Sequence, residues 1–255
     1  MLQRRICCRF CEYPKASRYG FDRNRRQRWK CPRCRSVFTR RTKTPKSGSH
    51  LSDREWHLAI LLFSSRAGMS GEDLSRVVGY GRRTGQRLNK AFRQAVEALV
   101  PVILAGNSEW DESTALKHQW VIGGVSRTTR QCLIRCIHDR SERTLVPFVE
   151  GHTEAESNVF TDEWGGYIGL LNHWTVCHER EFVRKEARFV HTNTQEGVWG
   201  HLKPLSWHIY RGFPRTSLQS FLNEFMFRYN LKSYATRVAV LSALLTRPKT
   251  NSLVV

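Results

Sequence analysis

Four cysteines near the start of the chain form two Cys-x-x-Cys pairs, Cys8 to Cys11 and Cys31 to Cys34. Each pair can present two thiolates from a tight turn to one tetrahedral ion, so the spacing assigns zinc to Cys8, Cys11, Cys31 and Cys34. Cys7 adjoins Cys8 and is an alternative ligand, although the x-x spacing favours Cys8. Disulfides are the competing use of these thiols, disfavoured in a reducing compartment. About fifty residues bury too little surface for a self-sufficient core, so the metal would supply much of the folding energy here. The basic, strand-like stretches RYGFDRNRRQRWK between the pairs and SVFTRRT after them complete the pattern of a zinc ribbon over residues 1–41. Cys132, Cys136 and Cys177 lack metal-site spacing and lie in apolar strand-like runs, as packed core residues do.

The charge is concentrated in the same segment. The chain carries 42 Lys and Arg against 22 Asp and Glu, a net charge of +20, which suits a polyanionic partner. Residues 1–50 hold sixteen of the basic residues against Glu12 and Asp22 alone, so +14 of that excess lies in the first fifth. Arg18, Arg23, Arg25, Arg26, Arg28 and Lys30 alternate with Tyr19, Phe21 and Trp29, a surface fit for phosphate contacts that give affinity rather than sequence choice. A solvated basic tail is the alternative reading. No apolar run is long enough to span a membrane and the Arg-rich start lacks a signal-peptide core, so the expected location is the cytoplasm, associated with the nucleoid.

TKTPKSGSH (42–50) is rich in Pro, Gly, Ser and Thr and reads as a linker. Over 51–100 three helices are expected. Ser52 with Glu55 makes a capping box before WHLAILLFSS, Ser70 caps EDLSRVVG up to Gly79, and a longer helix carries Leu88, Phe92, Ala95, Val96 and Leu99 on one face. A short glycine-containing turn before the third helix is the layout of a helix-turn-helix. On that reading Arg82, Arg83, Thr84, Gln86, Arg87 and Lys90 face DNA; a plain helical bundle with a basic face is the alternative.

From about residue 106 the texture changes to short apolar runs. SEWDES, QWVIGGVSR and QCLIRCIHDR read as successive strands, SERTLVPFVEGH as a helix, and NVFTDEW and HWTVCHE as further strands. Two closing helices follow, one from near Thr192 and one along SLQSFLNEFMFRYN. That succession is expected of an α/β RNase H-like domain, over 106–240. In such a domain acids on the first strand, the end of the fourth strand and a later helix meet at the sheet's centre, the positions of Asp111, Asp162 and Glu196. Three such carboxylates can hold two magnesium ions about 4 Å apart, one activating the attacking oxygen and the other stabilising the leaving oxygen of a phosphodiester.

WDES, WVIGGVSR, TDEWGGY, CHEREFV, HTNTQEGVWGHLK and NEFMFRYN, together with the two cysteine pairs, resemble bacterial insertion-sequence transposases of the DDE type, in the group related to the Merlin transposons. The resemblance covers nearly the whole chain, and HTNTQE followed by Trp and Leu-Lys is its most specific part. It implies a zinc ribbon, a helix-turn-helix and an RNase H-like catalytic domain. The implied enzyme cleaves double-stranded DNA at the terminal inverted repeats of its element and joins the 3′-hydroxyl to target DNA, using magnesium or manganese. A homodimer or larger synaptic assembly is implied as well. Asp111 and Asp162 match the family's two aspartates; Glu196 or Asn193, at i, i+3 on one helical face, supplies the third position. Glu196 is favoured as the metal ligand because it is anionic, with Asn193 orienting a water, ligand or phosphate.

Lys203, two turns after Glu196, is placed to hold a phosphate. Glu112 and Glu163 neighbour the proposed ligands but point to the opposite strand face, as spectators or surface charges. His178 and His191 are capping or structural histidines or assist binding. Trp164, Tyr167, Trp199, Phe225 and Tyr229 are expected in the core, as are Trp207 and Tyr210 unless they stack on an exposed base beside Arg211. Relative to the family, WDESTALKHQW is shorter and lacks two glycines, and VEGHTEAESN lacks the usual Pro and Gly. Two other readings share these features: a DNA-binding protein derived from a transposase but inactive, and an RNase H-like nuclease that cuts without joining.

Overall fold

A computed structural model describes residues 6–101, 103–116, 119–176, 189–205, 209 and 215–247. The chain divides into two compact units, Met1–Leu61 with Val238–Val255, and Leu62–Arg237. Three stretches with candidate residues lie outside the described residues: the Cys177 to Val183 segment with His178, and the positions of Trp207 and of Tyr210 with Arg211.

In the first unit β1 (Ser17–Phe21), β2 (Gln27–Lys30) and β3 (Val37–Thr39) form an antiparallel sheet in sequential order. The β1–β2 turn closes because Asp22 Oδ1 accepts from the backbone N–H groups of Asn24 and Arg26. Among the described residues Cys8, Cys31 and Phe38 form the buried core of this sheet, a core as small as the length of the segment implies. The helix α1 (Asp53–Phe63) opens on the expected capping box: Ser52 N–H donates to Glu55 Oε2 and Glu55 N–H to Ser52 Oγ.

In the second unit α2 (Gly71–Val78) is capped by Ser70 and ends at Gly79, whose φ of 79° is the left-handed value that a Cβ would disfavour. The following α3 (Arg82–Val96) buries Leu88, Phe92 and Val96. Gly85 lets α3 meet α2: a Cβ there would lie 1.9 Å from the Gly71 carbonyl oxygen and 2.8 Å from Ser75 Cβ. Gly85→Ala is therefore expected to cost about 2–3 kcal/mol as the helices are forced apart, read as a fall in denaturant midpoint.

The five-stranded sheet has the order β6-β5-β4-β7-β8, built from β4 (Ser108–Leu116), β5 (Gln119–Ser126), β6 (Cys132–Cys136), β7 (Val159–Asp162) and β8 (His173–Val176). β4, β5 and β6 pair antiparallel, while β7 joins β4, and β8 joins β7, in parallel. A parallel neighbour needs a crossover, and α4 (Glu142–His152) supplies it between β6 and β7. α5 (Asn193–Pro204) and α6 (Leu218–Asn230) follow. This is the expected mixed α/β, RNase H-like order, with the first strand at the centre of the sheet. A further helix, α7 (Tyr234–Leu244), lies beyond the two closing helices that the sequence pattern picks out.

The adjacent glycines of WVIGGVSR explain the layering. A Cβ on Gly123 would strike Gln195 and Trp199 of α5 at 2.4 and 2.7 Å, and one on Gly124 would strike the Trp110 ring at 2.5 Å. Successive strand residues face opposite sides, so each glycine admits one tryptophan, on its own face of the sheet. Trp110 meets Phe148 of α4 edge-on on one side, and Trp199 is buried on the other.

Candidate active site

The β4–β7 register pairs Ser108 with Val159 and Glu109 with Phe160. Continued two residues, it sets Asp111 beside Asp162 at the end of β7. Asp111 Oδ2 accepts from Trp199 Nε1 at 2.7 Å, and Asp162 Oδ1 accepts from Trp164 N–H at 3.1 Å. Among the described residues, Asp111 and Asp162 thus accept only from neutral N–H donors. Burial, with the charges of Asp162 and Glu112 adding to it, pushes the Asp111 carboxyl up to about 7 against the Trp199 hydrogen bond. A buried carboxyl beside other carboxyls, with no cationic side chain paired to it among the described residues, is a site with a deficit of positive charge.

Glu196 lies one turn before Trp199, on the exposed side of α5 with Asn193 and Lys203, while Gln195, Val198, Trp199 and Leu202 face inward. Asn193, Glu196 and Lys203 therefore share a helical face, as their spacing implies. Asp111, Asp162 and Glu196 do not close to the 4.8 Å at which a group of three ligand atoms would surround one ion.

Glu109, two residues before Asp111 on the same strand face, is fully buried and organises this region. It accepts from Arg127 Nε at 2.7 Å, from the Thr194 N–H and hydroxyl at 2.7 and 2.9 Å, and from Gln195 N–H at 3.0 Å. His191 Nδ1 stands 3.3 Å away. A carboxylate on the first N–H groups of a helix satisfies donors that have no intrahelical partner and opposes the positive end of the helix dipole. Glu109 thereby ties the start of α5, which carries Asn193 and Glu196, to the strand that carries Asp111. Arg127 extends the clamp to the Phe189 and His191 carbonyls and stacks 3.6 Å from the Phe160 ring centroid. Removing one partner of a buried ion pair leaves the other charge uncompensated, so Glu109→Ala should cost about 3–5 kcal/mol in thermal or denaturant unfolding.

Glu112, which alternates with Asp111 along β4, is no surface charge, and its charge reaches both Asp111 and Asp162. Its side chain is almost buried, accepts from the Tyr167 hydroxyl at 2.6 Å and stands 3.7 Å from Arg140. Glu163 is exposed. Tyr167, Trp199 and Phe225 are core residues, whereas Tyr229 is half-buried and Trp164 is exposed beneath the Arg140 guanidinium.

The sequence model of the ISXO2-like transposase domain matches residues 79–230, more than half of the chain. This chain belongs to that family. It is an insertion-sequence DDE transposase, an enzyme of DNA transposition. No curated protein matches it.

Outside the matched segment, the transposase brings Cys8, Cys11, Cys31 and Cys34 together with their sulfurs all within 4.8 Å of one another. Cys8 to Cys34 and Cys11 to Cys31 are each 3.6 Å, close to the about 3.8 Å edge of a tetrahedron with 2.3 Å zinc–sulfur bonds. Both turns have the same build: Glu12 N–H bonds to the Cys8 carbonyl and Arg35 N–H to the Cys31 carbonyl, and Glu12 and Arg35 take positive φ. Hydrogen bonds from the Ser36 hydroxyl and N–H lower the Cys34 thiol to about 6, whereas, against a Tyr13 hydrogen bond, desolvation and the three neighbouring thiols raise Cys11 to about 11, as expected where four thiols crowd together. The donor set fits zinc, and no disulfide joins these cysteines.

Of the transposase's basic residues, Arg82, Arg83, Arg87 and Lys90, with Gln86, are exposed on α3, and Thr84 is half-buried. In the ribbon Arg25 is exposed, and Arg28 and Lys30 lie over the Tyr19 ring. Arg26 is engaged otherwise: its guanidinium donates to the Ser49 and Leu51 carbonyls. The roles of Glu109 and Arg127 escaped the sequence reading. The alternation of Glu109 and Asp111 on β4 was the available signal.

Proposed function

We propose that this transposase binds the terminal inverted repeats of its element, cleaves them and transfers the 3′ ends to target DNA, with Asp111, Asp162 and Glu196 holding magnesium or manganese. The observation that carries the reading is the nearness of Asp111 and Asp162 on neighbouring parallel strands, close enough for the Asp162 charge to act on Asp111, with neither paired to a cationic side chain among the described residues. When bound, two divalent ions supply the charge that activates the attacking oxygen and stabilises the leaving one. The Trp199 indole holds the Asp111 carboxylate in place, and the Glu109 clamp holds the helix that presents Glu196. Asn193 orients a water or phosphate oxygen, and Lys203 holds DNA phosphate along the same helix face.

The ribbon (1–41), with zinc on its four cysteines, and the helix-turn-helix (51–100), joined by the 42–50 linker, hold the DNA ahead of the catalytic domain (106–240). Arg82, Arg83, Arg87 and Lys90 reach the duplex from α3, and Arg25 and Arg28 add phosphate contacts, with Arg26 shaping the ribbon that presents them. We place the protein in the Merlin-related group, acting at the nucleoid in the cytoplasm as a homodimer or larger assembly that pairs two ends. No helix among the described residues is long and apolar enough to cross a membrane.

The test is cleavage and strand transfer of labelled DNA carrying the element ends, comparing the native protein with Asp162→Asn. Metal-dependent nicking and joined products, both lost in the variant, are expected. End binding without breakage would replace this reading with an inactive DNA-binding protein, and breakage without joining would replace it with a nuclease.

A further inference from the structure

A cavity of about 480 Å³ opens where the C-terminal half of α5 meets α6 and the start of α7. Its apolar wall is Leu205, Phe225 and Tyr229, with His201 beside them; the Phe225 and Tyr229 ring centroids are 5.7 Å apart, and the His201 ring is 6.3 Å from that of Tyr229. The remaining lining is cationic, and no carboxylate occurs among the described lining residues.

Arg228 and Arg237 are buried, with their guanidiniums spent on the protein. Arg228 donates to the Phe63 and Ser65 carbonyls and pairs with Glu224, which also receives Arg93. Arg237 donates to the Ser64, Leu231 and Lys232 carbonyls. Arg228 is thus matched by Glu224, whereas Arg237, held by neutral carbonyls, gives the cavity floor its positive potential. Burial first, then the neighbouring charges of Arg228 and Arg66, lowers the proton affinity of Arg237. Arg66 and Lys232, in contrast, are exposed, and their side chains make no hydrogen bond or ion pair with a described residue. Exposed cations beside a buried arginine, with no carboxylate among the described lining residues, form a site for an anion. The aromatic wall asks for more than inorganic phosphate, and the volume suits a small ligand with a flat ring.

We propose that this cavity binds one nucleotide unit of a DNA strand, its phosphate on Arg66 and Lys232 and its base against Tyr229. The assignment to a DNA strand, rather than to a free nucleotide, rests on the DNA substrate of the proposed function. It is favoured by position: His201 follows Glu196 by five residues, about 7.5 Å along the same helix, within reach of a strand held at the acids. Base–aromatic stacking with phosphate pairing tolerates any sequence, so the site would grip the strand without reading it.

The probe is a 5′-phosphorylated thymidine trimer with a central 5-iodouracil, added to the full zinc-loaded chain without magnesium or manganese, so that the result does not depend on catalysis. Ultraviolet cross-linking to Tyr229 or Phe225, located by mass spectrometry, is expected. Arg66→Glu with Lys232→Glu should weaken trimer binding at least tenfold at unchanged melting temperature, since neither side chain bonds to a described residue. Tyr229→Leu should abolish the cross-link at residue 229, and Tyr229→Phe should retain it.

Cross-linking elsewhere, or equal trimer affinity in the charge-reversed variant, would overturn the site. Competition by inorganic phosphate at the trimer's own concentration would overturn the nucleotide assignment, and equal competition by thymidine monophosphate would overturn the strand assignment. Cross-linking at Tyr229 in a protein that fails to cleave element ends would leave this site standing and sink only the catalytic reading.

Discussion

Asp111→Asn should abolish strand cleavage while making the protein more stable at pH 8. Losing a carboxylate that helps hold two catalytic ions removes the charge on which the transition state depends, so a fall of about three or more orders of magnitude is expected in a gel assay of labelled ends. Stability moves the other way. The unfolded chain releases the Asp111 proton near its ordinary value of 3.8, and the folded chain near about 7. Between those values the folded state holds more protons, so this group's contribution to stability falls as pH rises through the window and is lowest above it. Asparagine keeps an acceptor for the Trp199 indole and removes the buried charge. A gain of roughly 2–4 kcal/mol at pH 8, shrinking towards zero near pH 4, is expected in melting curves recorded with zinc bound and no magnesium added. Equal melting temperatures of variant and native protein at pH 8 would contradict the cost assigned to this carboxylate.

Loss of zinc should unfold the ribbon. The three core residues Cys8, Cys31 and Phe38 cannot hold a three-stranded sheet, and structural zinc in comparable small modules contributes about 10–16 kcal/mol of apparent binding energy. Cys31→Ser, or treatment with a strong chelator, is expected to expose amides of β1–β3 to rapid hydrogen exchange. The β4–β6 amides should keep their protection, because the core around Trp110, Ile122, Leu133 and Leu145 contains no ribbon residue. If the ribbon grips phosphate as proposed, the same change should weaken binding to element ends and make it less sensitive to salt, by about one unit of slope for every phosphate left unneutralised. Unchanged exchange in β1–β3 after chelation would mean that the strands hold together without the metal.

Local chemistry was legible wherever it is written in neighbouring residues. Two Cys-x-x-Cys turns, a Ser52/Glu55 capping box, a Ser70 cap and the apolar face of α3 each rest on interactions within a few residues, and all appear as the spacing implies. The strands of the catalytic domain were legible for the same reason, whereas the parallel pairing of β4 with β7 came only with the fold. α7 was not, because its apolar residues do not segregate to one face: Ala, Val and Leu run almost without interruption through the helix.

The sequence by itself determined the family, the fold class, the cysteine cluster and the acids on β4, β7 and α5, since each depends on residue type and local period. Tertiary structure alone decided what surrounds those acids. Glu109 is an ordinary strand glutamate until the fold brings it the Arg127 guanidinium and the N–H groups of Thr194 and Gln195. Gly123 and Gly124 look like weak points in a strand until α5 on one face and Trp110 on the other occupy the space their side chains leave free. Likewise, Arg66, His201, Tyr229 and Lys232 line one cavity only because α5, α6 and the start of α7 converge. Charge deficit, desolvation and close approach are properties of groups far apart in the chain, and a one-dimensional pattern carries no distance between them.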